Sequence, residues 1–149
     1  MGDVQIRELD RGESGLAHAA MLELRPGIGD AAQFAIRVDQ VQRDEGYRLV
    51  AAFEAAGEPA VAVAGFRLVH NLAWGDIVYV DDLSTLPQAR RRGHAAALLR
   101  WLVEETRRLG CCQLHLDSGV GPDRAGAHRL YLNEGLTITS HHFARELRR

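Results

Sequence analysis

Lysine is missing from this chain: all 18 basic residues are arginines. No Walker-A lysine, kinase-type phosphate lysine or Schiff-base lysine can operate here, which removes those routes to phosphoryl transfer and imine chemistry. Cysteine is nearly missing as well. Cys111 and Cys112 are adjacent, so no disulfide framework is available, and on a strand their side chains would face opposite ways. Met1 to Leu24 carries charges throughout and has no continuous apolar run. Neither a secretory signal nor a membrane span is therefore expected, and the reducing cytoplasm is the expected compartment. The formal net charge of −2 gives no reason to expect nucleic acid, so anion binding should be local, at Arg90–Arg92 or at Arg145, Arg148 and Arg149. Neither G-x-G-x-x-G nor H-E-x-x-H occurs. Among the histidines, His141 and His142 are neighbours that cannot share one ion on a strand, and His115 with Asp117 lacks a third ligand, so no metal is expected.

What is present fits one domain. A chain of 149 residues with 46% hydrophobic content can bury a core unaided, and residues 1–149 are expected to form a single domain. Val4 to Leu9 reads as a short strand. Leu16, Ala20 and Leu24 recur at helical spacing, and Pro26, Gly27 and Gly29 break that helix. Asp30 can cap a second helix with Phe34, Val38 and Val41 on its apolar face. Tyr47 to Glu54 and Ala60 to Val69 flank a turn-forming stretch and predict an antiparallel hairpin. Ile77 to Leu86 reads as a long buried strand ending at Pro87, followed by an amphipathic helix from Gly93 to Leu109 that Gly110 stops. A strand from Gln113, a helix from Pro122 to Glu134 and a last strand from Leu136 complete the order. The strand–helix–strand run from Ile77 predicts a parallel pair with a right-handed crossover inside a mixed α/β sheet.

Arg90-Arg91-Arg92-Gly93-His94-Ala95 joins the buried strand to the helix. Its backbone N–H groups and the positive end of the helix should converge on one spot, where phosphates can bind without lysine. Gly93 lets a ligand approach the backbone closely, and Ala95 keeps the first turn narrow. Two carboxylates, Asp81 and Asp82, interrupt the apolar strand. Each needs a partner or a wet cleft, and alternation allows at most one to face the cleft. Tyr131 stands in the frame A-x-x-x-Y-x-x-x-G made by Ala127, Tyr131 and Gly135.

The R-x-x-G-x-A loop between strand and helix, followed by that tyrosine frame, resembles the acetyl-CoA half of the Gcn5-related N-acetyltransferase (GNAT) superfamily. The resemblance implies a central mixed sheet flanked by about four helices, with acetyl-CoA as cosubstrate and no metal. It implies that Arg90, Arg91, Arg92, Gly93, His94, Ala95 and Ala96 hold the CoA pyrophosphate and that Leu83, Ser84 and Thr85 form the edge that binds pantetheine. Ala127 and Arg124 are implied as further cofactor contacts, although Arg124 replaces an asparagine common in the family. Tyr131 is implied as the acid that protonates the departing thiolate, a role a nearby phenol can perform in a poorly hydrated tunnel. The segment YVDDLSTLPQARRRG looks similar to that of polyamine acetyltransferases, which implies Asp81 as proton acceptor and Asp82 as a substrate contact. His142 is a further candidate to line the substrate cleft. The partners implied are acetyl-CoA and an amine acceptor, with room for a homodimer through an edge strand. The acceptor is expected to be a small-molecule amine. A protein or peptide amine and a non-catalytic CoA-binding domain are the alternatives.

Overall fold

A computed structural model describes residues 3–148. The chain forms two compact units, Met1–Leu116 and Asp117–Arg149. The first holds a five-stranded mixed sheet in sequential order: β1 (Gln5–Leu9), β2 (Arg48–Phe53), β3 (Ala62–Asn71), β4 (Gly75–Thr85) and β5 (Gln113–Leu116). The first four strands pair antiparallel, including the expected hairpin of β2 and β3, while β4 and β5 pair parallel across the predicted crossover.

Helices cover both faces of this sheet. On one face α1 (His18–Leu24), α2 (Ala31–Arg37) and the turn that follows it bury Met21, Phe34 and Val38 against Leu49, Ala51 and Phe53. The opposite face receives α3 (His94–Arg108), whose Leu98, Leu99 and Leu102 are at most 1% exposed. Since β2 is packed on both sides, it reads RLVAAF with no polar alternation after Arg48, as a two-faced central strand should. Asp30 caps α2 as expected through a reciprocal capping box with Gln33. The helix then widens into a π turn over Val38–Gln42, and this extra residue per turn rotates Val41 outward to 36% exposure while Phe34 and Val38 stay buried.

The second unit contains α4 (Ala125–Asn133), preceded by a single turn at Pro122–Arg124. Two expectations fail at this end of the chain. The fifth strand stops at Leu116 instead of running on through Val120, and among the described residues no strand follows Leu136. Residues 136–148 have a strand-like alternation. In the second unit, however, no neighbouring strand supplies backbone partners, and a strand exists only where its N–H and C=O groups are paired. Ile138, Phe143 and Leu147 are accordingly 77% or more exposed.

Candidate active site

The chemistry of the first unit is organised by one irregularity in β4. Its register against β3 runs Thr85–Ala62, Ser84–Val63, Leu83–Ala64 and Asp82–Gly65, then jumps to Val80–Phe66, leaving Asp81 as the inserted residue of a β-bulge. On its other side β4 pairs with β5 over Ile77 to Val80. From Asp81 to Thr85, therefore, that edge of β4 has no strand partner among the described residues. An open strand edge of this kind can hydrogen-bond an extended ligand as an added strand would. Leu83, Ser84 and Thr85 lie along it.

After Pro87–Ala89 the chain enters the arginine loop. Arg91 adopts φ 64° and Gly93 φ 82°. Left-handed residues on either side of Arg92 turn successive N–H groups toward one side, the geometry of an anion-binding nest. A non-glycine residue there costs energy, so Arg91 holds a conformation its side chain disfavours. A Cβ built on Gly93 would meet nothing within 4 Å, so the backbone is open to a ligand at the start of α3. Two of the three arginine side chains are held by carboxylates: Arg90 reaches Glu23 at 3.3 Å and Arg92 pairs with Glu54 at 2.7 Å. The buried His94 ring also turns to Glu54, at 2.7 Å, and His94 and then Arg92 hold the Glu54 carboxyl below its ordinary range. The loop's availability to an anion thus rests on its backbone and on Arg91, with Ala95 and Ala96 in the first turn of α3 behind it.

The two aspartates have separate environments. Arg67 grips Asp81 with two hydrogen bonds of 2.9 Å, Nε to Oδ2 and NH2 to Oδ1. Asp82 lines a cleft of about 680 Å³ bounded by residues of α1, α2 and the loop between them. Arg25 Nε donates to Asp82 Oδ1 at 2.8 Å, and a second Arg25 nitrogen donates at 3.0 Å to the Asp81 carbonyl at the bulge. The Tyr47 hydroxyl donates to Asp82 Oδ2 at 2.7 Å. Tyr47 is 4% exposed, and burial first, then the Asp82 charge, push its phenol well above the ordinary value, so it remains a donor at any working pH. One aspartate lines the cleft, although the bulge suspends the strand alternation at this point. It is Asp82, not Asp81, which was the expected proton acceptor.

Tyr47, Arg25 and Gly65 were not identified from sequence. For Gly65 a signal existed: a glycine inside the strand AVAGFRLVHN marks a close approach of another group. Tyr47 opens a strand and Arg25 follows a helix, positions without any distinguishing pattern.

Within the second unit, Ala127 and Tyr131 lie one turn apart on α4. Burial pushes the Tyr131 phenol above its ordinary value, with Arg124 acting against the shift, so the hydroxyl carries its proton at neutral pH. The Arg124 Nε atom is buried and has no hydrogen-bond partner among the described residues. His142 lies in the strandless tail, 3.5 Å from the Asp117 carboxylate. No group of three potential metal ligands occurs among the described residues. Nor is any helix of the described residues long and apolar enough to cross a membrane.

Comparison with known proteins gives this arrangement its class. The model of the acetyltransferase (GNAT) family matches residues 15–135. An uncharacterized N-acetyltransferase of Bacillus subtilis, YhdJ, is 30% identical over 129 residues, covering 85% of this chain and 87% of its own. The chain belongs to the GNAT family and is an acyl-CoA-dependent N-acetyltransferase. Among solved structures it is similar in fold to the aminoglycoside acetyltransferase AAC(6')-Iy in complex with a bisubstrate analogue, at TM-score 0.79 and 18% identity over 99% of this chain and 100% of that one. A ribosomal-protein-alanine N-acetyltransferase of Brucella melitensis is similar at TM-score 0.79 and 16% identity over 98% of this chain and 100% of that one.

Proposed function

We propose that this enzyme transfers the acetyl group of acetyl-CoA to the primary amine of a small molecule by direct attack in a ternary complex. The observation that carries the reading is the bulge at Asp81. It leaves the β4 edge from Asp81 to Thr85 without a strand partner, with Asp82 lining a cleft of ligand size. In this reading the CoA pyrophosphate sits on the N–H groups of Arg90 to Ala96 and pantetheine hydrogen-bonds Leu83, Ser84 and Thr85. The match of the family model to residues 15–135 supports treating residues 1–149 as one acetyltransferase domain.

The acceptor arrives as an ammonium ion, with a pKa near ~10.4 for a lysine-like amine, and must lose a proton before it can attack. Asp82 accepts that proton, directly or through water. The freed lone pair forms the C–N bond, the thioester carbonyl oxygen takes up negative charge beside a backbone N–H near Leu83 or Thr85, and the C–S bond breaks. Tyr131 then protonates the thiolate, and the second proton lost by the nitrogen as the amide forms passes through water to restore the phenol. This last role rests on the sequence frame of Tyr131 and on its protonated state at neutral pH. Asp81, gripped by Arg67, fixes the bulge instead of moving protons.

The test is release of the CoA thiol by the purified protein with acetyl-CoA and a panel of amino acids, polyamines, aminoglycosides and short peptides. Release above the amine-free blank with one class of small amine is expected. Release with peptides alone would replace the small-molecule acceptor, and absence of acetyl-CoA binding by calorimetry would overturn the assignment of the loop.

A further inference from the structure

The cleft beside Asp82 is not an acidic pocket. Its charged lining consists of Asp82, Arg25 and Arg37. Arg25 and Asp82 already neutralise each other at 2.8 Å. Arg37, the last residue of α2, is exposed and forms no ion pair or hydrogen bond among the described residues. The cleft therefore carries one uncompensated positive charge. Its apolar lining is the half-buried Ile28, with the core residues Met21, Phe34 and Val38 beneath.

We infer that the acceptor is an amine that carries its own carboxylate, namely an amino acid with an apolar side chain. The inference rests on the proposed acetyl transfer and specifies its acceptor. A polycation entering this cleft would find one carboxylate for its several ammonium groups and would meet the uncompensated Arg37, which repels it. Each such repulsion is worth on the order of 1 kcal/mol where water screens it, and more where it does not. An aminocarboxylate matches Asp82 and Arg37 together. Its ammonium meets Asp82, the proton acceptor. Its carboxylate meets the Arg37 fork, whose planar donors match a carboxylate with two parallel hydrogen bonds. Its side chain lies against Ile28, above the buried Met21, Phe34 and Val38, and the volume of about 680 Å³ falls within the ordinary ~300–1,000 Å³ range of small-ligand clefts.

The experiment compares kcat/KM for L-leucine, L-methionine and L-phenylalanine with the values for their C-terminal amides, and with spermidine and kanamycin. The amides keep the side chain and lack the negative charge; their amine also loses its proton more readily, which favours the amide, so any preference for the acid reports the carboxylate. At least one acid should exceed its own amide by tenfold or more and exceed both polycations. In R37Q that acid-to-amide ratio should fall toward one, while R37K should retain part of it. Arg37 is a surface residue, so both variants should fold, as circular dichroism will verify. Amides as good as acids, or polycations better than both, would overturn the inference while leaving acetyl transfer intact. Loss of acetyl-CoA binding by the wild-type protein in calorimetry would overturn the proposed function together with it.

Discussion

The Tyr47 hydroxyl reaches Asp82 across Gly65, and it can do so because position 65 has no side chain. A Cβ built on Gly65 would lie 1.7 Å from the Tyr47 hydroxyl oxygen and 2.2 Å from the ring carbon that bears it. The slot in β3 thus positions a buried donor against the carboxylate that lines the cleft.

Gly65→Ala should accordingly displace Tyr47 and destabilise the protein by about 2 kcal/mol, within the usual range for overpacking a core. If the clash with Tyr47 is the cause, the cost of Gly65→Ala will be smaller in a Tyr47→Ala background than in the wild type. Urea denaturation of the four proteins measures this coupling. Additive costs would mean that Gly65 serves some other purpose.

Tyr47→Phe keeps the ring and removes the donor. A hydrogen bond to a charged group contributes about 1.5–3 kcal/mol, so the midpoint of thermal unfolding should fall by several degrees. As a positioning residue, Tyr47 should also affect turnover: kcat is expected to drop about tenfold with KM for acetyl-CoA unchanged. A loss of stability with kcat intact would restrict Tyr47 to packing.

The two aspartates should separate cleanly. Asp82→Asn is expected to lower kcat by about 100-fold, the low end for loss of a general base, with acetyl-CoA binding retained in calorimetry. Asp81→Asn loses its bidentate pairing with Arg67 and should affect melting temperature more than turnover. The reverse pattern would return the proton-accepting role to Asp81.

Tyr131→Phe should lower kcat far more than it weakens acetyl-CoA binding. Because burial raises the phenol's pKa, the wild-type rate should show no loss attributable to Tyr131 ionisation through pH 9. Unchanged turnover in the variant would remove the residue from the mechanism.

Acid stability should depend on Glu105. Hydrogen bonds from Arg108 first and Arg48 next hold this carboxyl at about 2, against an ordinary 4.5. A depressed carboxylate stabilises the fold fully above its unfolded pKa, and that stabilisation is lost as pH falls from about 4.5 toward 2. Glu105→Gln should cost on the order of 2 kcal/mol at pH 7, and its stability should fall less steeply than that of the wild type over the acid range. Parallel slopes in pH-dependent urea titrations would show that other carboxylates govern acid unfolding.

Much of this molecule follows from local chemistry. The periodicity of residues 94–108, the capping residue Asp30, the turn between β2 and β3 and the glycine at position 93 each act through neighbours in the chain. That is why the strand–helix–strand core, the arginine loop and the family resemblance were all legible in the sequence. Proximity between distant segments is not encoded in that way. The bulge at Asp81 exists because the pairing of β3 with β4 changes register between Gly65 and Phe66. The cleft exists because α1 and α2 pack over that region of the sheet, bringing Arg25 and Tyr47 to a carboxylate 57 and 35 positions away. The tail from Leu136 shows the converse. Its alternation is written into the sequence, but a strand also needs a partner edge, and the second unit supplies none. Sequence alone therefore determined the class of chemistry and the loop for its cosubstrate. Tertiary structure decided which aspartate lines the cleft and what charge surrounds it, because backbone register and long-range packing, not local propensity, set those contacts.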